Sequence, residues 1–153
     1  MAEPREILGL VPNGLYLIGV TTEEEQFIYT GSWITQMSFE PCLIATAVRK
    51  THPGHAMIQE AGVFTVNFLA KGDLELAQKG FGNPGDRLEW VDWKSCPEIG
   101  APVILDSLAY IGCRLVQWVE WGDHDLVVAE AVIAESFRDG ELLTIHDTPW
   151  TYS

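Results

Sequence analysis

The sequence from residue 30 to residue 51 reads TGSWITQMSFEPCLIATAVRKT. Its segment 41–48, PCLIATAV, continues after the proline as a nearly unbroken apolar run of strand length, which predicts a buried β-strand. The stretch before this strand is dense in hydroxyl and amide side chains. Two adjacent cations and a threonine, Arg49-Lys50-Thr51, follow it. The predicted strand therefore has polar side chains at both of its ends.

Much of the remaining chain has β-type patterns, in which apolar residues alternate or β-branched and aromatic residues cluster. The acidic run Glu23-Glu24-Glu25 separates two such segments and predicts the charged tip of a hairpin. Residues 81–106 are rich in glycine and proline, which predicts a loop region. Besides the segment 41–48, the predicted strands are residues 15–20, 26–30, 62–69, 109–120, 125–136 and a short last strand, 142–145.

Two short helices are predicted between the strands. The first begins at His52 and ends near residue 61, with Thr51 as its N-cap and Pro53 in its first turn. The second spans residues 74–79, with Asp73 as N-cap and Gly80 directly after its end. Six or seven strands and two short helices predict a single, mainly β domain over residues 1–153, built as a closed or nearly closed barrel.

Composition and charge exclude several classes of protein. The 153 residues include 9 lysines and arginines against 22 aspartates and glutamates, and the resulting net charge of −13 opposes binding to nucleic acid. No apolar run approaches the ~18 residues that a membrane helix needs. Residues 1–6 are polar and do not begin a secretory signal. Three scattered cysteines, Cys42, Cys96 and Cys113, predict a cytoplasmic protein without a disulfide framework.

Several common catalytic motifs are missing from the sequence. It contains no GxGxxG, GxxxxGK[ST], GxSxG or HExxH pattern, so a nicotinamide would have to bind in some other way than on a Rossmann fold. His52 and His55 are three residues apart, but no carboxylate or cysteine completes a ligand set at suitable spacing. The sequence therefore predicts no metal site.

The cations Arg49 and Lys50 lie where a buried strand ends and a helix is predicted to begin. The N-terminus of a helix favours anions, and two cations with the Thr51 hydroxyl make a phosphate site chemically reasonable there. The alternative is a solvated strand end followed by an N-cap. Local pattern alone leaves both interpretations open.

Two further segments are candidates for binding. Residues 30–41 offer many donors and acceptors in a small space, which suits the edge of a flat polar heteroaromatic ring, although an ordinary polar loop has the same composition. Gly122-Asp123 predicts a turn between two long strands, from which His124 projects as a functional or merely exposed side chain.

Trp118 and Trp121 are three residues apart on one strand and should face opposite sides, which leaves one outside the barrel and suggests a dimer surface.

Taken together, these segments resemble the flavin reductase-like family of FMN-binding split barrels, and especially the reductase module of diflavin proteins. The resemblance covers residues 14–152, and the order and spacing of its pieces are more specific than any one of them. The pieces are SWITQMSFEP at 32–41, AVRKT at 47–51, GVFTVNFL at 62–69, LAYIGCR at 108–114 and GDH at 122–124.

The resemblance implies a mainly β, Greek-key FMN-binding split barrel with two or three short helices, assembled as a homodimer. It implies FMN, or alternatively FAD, as cofactor and NADH or NADPH as electron donor. It assigns His124 to the nicotinamide site, where it orients the substrate. The residues that it assigns to the flavin ring and ribityl chain are Ser32, Trp33, Ile34, Thr35, Gln36 and Ser38, and those that it assigns to the phosphate are Arg49, Lys50 and Thr51.

The function that this resemblance implies is an NAD(P)H:flavin oxidoreductase that passes a hydride from a nicotinamide to flavin N5. A monooxygenase or another redox protein is the expected partner for the reduced flavin. Two alternatives remain open: an FMN-holding electron-transfer protein, flavoredoxin-like, without NAD(P)H turnover of its own, and a barrel that binds another ligand such as heme. Many members of the family carry an arginine near their end that residues 144–152 lack, so we expect Trp150 or His146 to shape the pocket instead.

Overall fold

Strands dominate residues 1–82 and 88–152, the part of the chain that the computed structural model describes. No helix in these ranges has the length and apolar character that a membrane crossing requires. The helices are α1 Pro4–Leu8, α2 Pro53–Ala61 and α3 Leu74–Lys79. The strands are β1 Tyr16–Thr21, β2 Gln26–Gly31, β3 Ile34–Ser38, β4 Leu43–Arg49, β5 Val63–Phe68, β6 Trp93–Ser95, β7 Pro102–Ile104, β8 Ala109–Trp121 and β9 His124–Ser136.

Seven strands of the described residues form one antiparallel sheet in the order β2-β1-β5-β8-β9-β4-β3. The two edge strands, β2 and β3, are consecutive in the chain and only Ser32 and Trp33 lie between them. Three Cα steps reach no more than about 11 Å, so the sheet has to curve until its edges approach each other. This geometry confirms the predicted mainly β, nearly closed barrel with two or three short helices.

The hairpin of β8 and β9 is the longest feature of the sheet. It turns at Gly122, whose φ of 54° lies in the left-handed region that glycine adopts without strain, and this confirms the turn predicted there. Each strand carries one bulge: Val116 is the extra residue of β8, and Val132 is the extra residue of β9. One bulge shifts the register by one residue, and the bulge on the other strand shifts it back. His124 therefore lies opposite Trp121.

The core occupies both sides of the first hairpin. The inside of the barrel holds a cluster that includes Val20, Phe64 and Val127, all without exposed surface, and α2 adds Met57 and Ile58 to it. A second cluster on the other side of the sheet contains the buried residues Leu15, Leu17, Ile28, Leu69, Ala77, Val91, Ile104 and Leu143. Both faces of β1 are thus buried, which explains the continuous apolar run of its sequence.

Three sequence-based expectations need correction. The predicted last strand, 142–145, makes only two isolated bridges, through Leu142 and Thr144, and then enters a 3₁₀ turn at Ile145–Asp147. The predicted loop region 81–106 contains a small hairpin of β6 and β7, while its residues 83–87 lie outside the described residues. Helix α1 was not expected, because its five residues are too few for a periodic pattern.

The caps of the two predicted helices also differ from expectation. The N-cap of α2 is His52, not Thr51, and its Nδ1 accepts a hydrogen bond from the Gly54 N–H at 2.9 Å. Pro53 is the reason, since a residue before proline is driven to the extended backbone that an N-cap requires. Asp73 precedes α3 as predicted, but its carboxylate accepts from the Ala70 N–H and makes no cap bond.

Candidate functional site

A cavity of about 410 Å³ opens where the ends of β2 and β4 meet the start of α2. This volume is within the range of small-molecule sites. Apolar side chains from the barrel interior, including Ile18, Ile58 and Phe64, form part of its wall. The polar and aromatic residues that also line it include Tyr29, Ser32, Arg49, Thr51, His52, Trp150 and Tyr152.

The positive charge of the cavity comes from Arg49 at the end of β4. Its guanidinium carbon lies 5.0 Å from the centre of the Tyr152 ring, a cation–π contact at the cavity mouth. Arg49 is also the register partner of His124, so the two side chains lie on the same face of the sheet. The sheet register thereby brings together the two candidate regions that the sequence analysis treated separately.

Lys50 points away from this cavity. Its Nζ lies 3.6 Å from Oδ1 of Asp125, whose residue surface is only 1% exposed. The other carboxylate oxygen, Oδ2, accepts hydrogen bonds from Trp118 Nε1 at 2.9 Å and from His55 Nε2 at 2.6 Å. These contacts, with the His55 hydrogen bond as the largest cause, lower the pKa of the Asp125 carboxyl below its ordinary value.

The start of α2 has few backbone donors to offer an anion. Pro53, the first helical residue, has no N–H, and the N–H of Gly54 donates to His52 Nδ1. The N–H of His55 donates to the His52 carbonyl at 3.0 Å. The backbone N–H groups of Gly54 and His55, which could otherwise bind an anion at this helix N-terminus, are therefore engaged within the first turn itself.

An aromatic cluster closes the mouth of the cavity. The rings of Trp33 and Tyr152 stack with centroids 4.5 Å apart, and the His124 ring lies 4.7 Å from that of Trp33. Trp33 has a φ of 54°, an unusual value for a side chain of this size, which marks a strained link between the edge strands. Tyr152 thus stands between Trp33 and Arg49.

His124 has a hydrogen-bond partner at each ring nitrogen. Its Nδ1 lies 2.6 Å from a carboxylate oxygen of Asp123, and its Nε2 lies 2.8 Å from the Tyr152 hydroxyl. An ionised carboxylate can only accept, so Nδ1 carries the proton, and this hydrogen bond lowers the pKa of Asp123. In the neutral imidazole Nε2 is then an acceptor, and the Tyr152 hydroxyl donates to it.

Only some of the residues predicted to bind the flavin or the nicotinamide lie at the cavity. Ser32, Arg49 and Thr51 line it, and Trp33 and His124 reach its mouth through Tyr152. The other residues assigned to the flavin lie on the edge strand β3, outside the cavity wall: Ile34, Thr35, Gln36 and Ser38. Lys50 lies on the far side of its strand end, beside Asp125.

Sequence reasoning missed two residues of the site. His52 was considered only as the first residue of the predicted helix and as a metal ligand, although its place before Pro53 was a signal for the N-cap. Tyr152 carries no local pattern that distinguishes it from any other aromatic residue. Of the two side chains expected to shape the pocket, Trp150 lines the cavity, whereas His146 hydrogen-bonds the carbonyl of Gly9 at 2.9 Å.

The open antiparallel barrel and its cavity define a small-molecule binding protein, and comparison with known proteins identifies its family. Residues 8–148 match the family described as the flavin reductase like domain. The chain belongs to this family.

Individual relatives agree with this assignment. The FMN reductase (NADH) SmoA of Agrobacterium fabrum is 30% identical over 139 residues, which cover 91% of this chain and 78% of that protein. Diflavin flavoprotein A 1 of Synechocystis sp. is 28% identical over 143 residues, covering 91% of this chain. This chain spans only about a quarter of the length of the diflavin flavoproteins that it matches, 25% in that case.

A solved structure supports the fold at the level of coordinates. The NADH:FAD oxidoreductase SgcE6 of Streptomyces globisporus, in complex with NAD and FAD fragments, superposes with a TM-score of 0.86 at 25% identity. The superposition covers 94% of this chain and 90% of that chain. The predicted split-barrel fold class is thereby confirmed.

The Asp125 network predicts a pH-dependent contribution to stability. Because the folded pKa of Asp125 is lowered, its contribution is fully present above the pKa of the unfolded carboxyl, about 3.9, and is lost as pH falls through the folded value. We expect Asp125→Asn to lower the Tm, measured by circular dichroism, clearly at pH 7 and progressively less below about pH 4. Asp139→Asn, at an exposed position, is the control and should leave the Tm unchanged at both pH values. A Tm difference for Asp125→Asn that stays constant down to pH 3 would contradict the ionised network.

Proposed function

We propose that residues 1–153 form a single flavin reductase-like domain that binds FMN and transfers a hydride to it from NADH or NADPH. The observation that carries the proposal is one cavity of about 410 Å³ with a cation and a hydroxyl near the start of α2 and stacked aromatic rings at its mouth. The names of SmoA and SgcE6, which describe NADH-dependent reduction of FMN or FAD, support the same conclusion.

The cavity residues fit a flavin phosphate on one side and a flat ring on the other. Arg49 and Thr51 would hold the phosphate, since a guanidinium and a hydroxyl are suitable donors to its oxygens. Ser32 and the apolar wall would adjoin the ribityl chain and the ring. FAD contains the same ring and the same first phosphate, so these residues would serve for either flavin.

The bound flavin would supply a ring nitrogen, N5, that accepts a hydride from a reduced nicotinamide. The chain itself would position the nicotinamide. Asp123 fixes the tautomer of His124 and leaves its Nε2 as an acceptor at the mouth of the cavity. A carboxamide N–H of the nicotinamide can take the place of the Tyr152 hydroxyl on this nitrogen. His124 therefore orients the nicotinamide and is not required as an acid or a base.

One contact favours the alternative, an FMN-holding electron-transfer protein without NAD(P)H turnover. The Tyr152 hydroxyl is already hydrogen-bonded to Nε2 of His124, and its ring is stacked on Trp33; these are the groups that a nicotinamide would use. If Tyr152 stays in this place when flavin is bound, the cavity holds a cofactor that only a protein partner can reduce or oxidise.

Visible spectroscopy separates the two functions. We expect the purified protein, incubated with FMN and freed of excess by gel filtration, to show flavin absorption that bleaches when NADH or NADPH is added without oxygen. A yellow protein that stays oxidised with both nucleotides would support the electron-transfer protein instead. A protein that neither retains nor reduces FMN would refute the proposal.

A matched pair of cation variants tests the phosphate assignment. Arg49→Ala should weaken FMN binding about ten- to one-hundred-fold, because a charge-assisted hydrogen bond is lost, and should change riboflavin binding little. Lys50→Ala removes the same charge from the next residue, which faces Asp125, and should affect FMN much less. Titration calorimetry with both flavins measures the two effects. Equal loss of FMN and riboflavin in Arg49→Ala would rule out its phosphate contact, and an equal effect of Lys50→Ala on FMN would restore Lys50 to the site.

We also propose that the functional unit is a homodimer. Trp121 and Leu126, which are 76% and 38% exposed, lie with Val119 on the outer face of β8 and β9. This apolar face continues through the register into His124 and Arg49. A second copy on this face would shield the apolar side chains and border the mouth of the cavity. The exposed position of Trp121, opposite in direction to half-buried Trp118, is the one expected from their spacing.

Light scattering after gel filtration tests the dimer. We expect wild-type protein to have twice the molar mass of one chain, and Trp121→Glu and Leu126→Glu to shift it toward the mass of one chain, because a charge would be buried in the interface. Leu10→Glu, at an apolar residue that is 72% exposed elsewhere, is the control and should stay dimeric. Wild-type protein with the mass of a single chain would refute the dimer, and two dimeric variants would refute this interface.

Two further parts of the proposal concern the cellular context. The reduced flavin, or its electrons, would pass to a monooxygenase or another redox protein, and a net charge of −13 suits a partner with a basic surface. We place the protein in the cytoplasm. The free thiols of Cys42, Cys96 and Cys113 support a reducing compartment.

A further inference from the structure

His52 has two structural roles at once. It is the N-cap of α2, and its ring also lines the cavity beside Arg49 and Thr51. The ring packs on Tyr29, with centroids 4.4 Å apart, so its plane is fixed by a buried neighbour. A histidine held in this way presents one defined edge to whatever occupies the cavity.

The protonation state of His52 follows from its contacts. Nδ1 accepts the Gly54 N–H at 2.9 Å, so this nitrogen carries no proton and Nε2 carries it. Burial, and then the charge of Arg49, lower the pKa of the imidazole and keep it neutral near pH 7. Within residues 1–82 and 88–152 no group accepts a hydrogen bond from Nε2–H. This N–H is the one polar group of the ring still available to a ligand.

We propose that the Nε2–H of His52 donates a hydrogen bond to the flavin phosphate, in place of the backbone N–H groups at the start of α2, which are already engaged. The inference rests on the proposed function, since the ligand is the phosphate of the bound flavin. The hydrogen bond that Nδ1 accepts from the Gly54 N–H polarises the imidazole. This polarisation makes Nε2–H a stronger donor toward a ligand in the cavity. His52 thereby selects phosphorylated flavins over riboflavin, together with Arg49 and Thr51.

Two substitutions separate the cap from the donor. The amide oxygen of His52→Asn can still accept the Gly54 N–H, since asparagine is a good N-cap, but the variant has no group at the position of Nε2. His52→Gln places its amide nitrogen near the position of Nε2 but is a poor N-cap. We expect His52→Asn to keep the wild-type Tm and to bind FMN about ten- to one-hundred-fold more weakly, with riboflavin binding unchanged. His52→Gln should lose Tm and keep most of the FMN affinity.

The outcomes distinguish this inference from the proposed function. Wild-type FMN affinity in His52→Asn, or an equal loss of FMN and riboflavin, would overturn the donor role while flavin binding itself stands. Failure of the wild-type protein to bind either flavin would overturn the proposed function and this inference with it. A ¹⁵N-detected NMR spectrum of the imidazole adds an independent readout: we expect the Nε2–H tautomer in the free protein and a shift of its proton resonance with FMN but not with riboflavin. The Nδ1–H tautomer would contradict the inference.

Discussion

The site depends on one buried carboxylate. Asp125 has almost no exposed surface, yet it joins four elements: β9, which carries it, α2 through His55, β8 through Trp118, and the end of β4 through Lys50. An ionised carboxylate in such a place is costly unless donors surround it, and two of the three partners here, His55 and Lys50, come from segments that adjoin the cavity. Because Lys50 is drawn to this side of the strand end, Arg49 lies on the opposite side, where the cavity is. The same carboxylate thus fixes the start of α2 and the direction of the only cation that the described cavity wall contains.

The cavity itself is a consequence of incomplete closure. A sheet whose edge strands are joined by two residues has to bring those edges close, but β2 and β3 are not paired in the described sheet. The gap between them leaves backbone and small polar side chains such as Ser32 at the border of an apolar interior. Trp33 accommodates the sharp link by a left-handed backbone, and its ring becomes part of the mouth. The strain of the link and the aromatic surface for a ligand are therefore properties of a single residue.

Much of this arrangement could be predicted from the sequence, and the failures have physical causes. Strand periodicity located the long hairpin and the buried β4, and the family resemblance pointed to Ser32, Arg49, Thr51 and His124 as neighbours of one ligand. The resemblance could not show that Lys50 lies outside the cavity. Adjacent residues at a strand end face opposite sides, and Asp125, which Lys50 contacts, is distant in the chain. The segment 142–145 has strand-like composition, but strands need partners, and local sequence does not say whether one is available. The role of Tyr152 arises only from tertiary contacts.

The paired bulges of the long hairpin constrain how this chain can change in length. Val116 adds one residue to β8 and Val132 adds one to β9, so the two strands leave the hairpin in the register in which they entered it. Loss of Val116 alone would exchange the faces of the β8 residues between it and the turn. Loss of Val132 alone would do the same in β9, and since side chains alternate, His124 and Asp125 would exchange faces. The carboxylate would then point outward and the imidazole into the core. Insertions and deletions in these strands are therefore tolerable only in compensating pairs, a form of covariation in length that substitutions at single positions would never reveal.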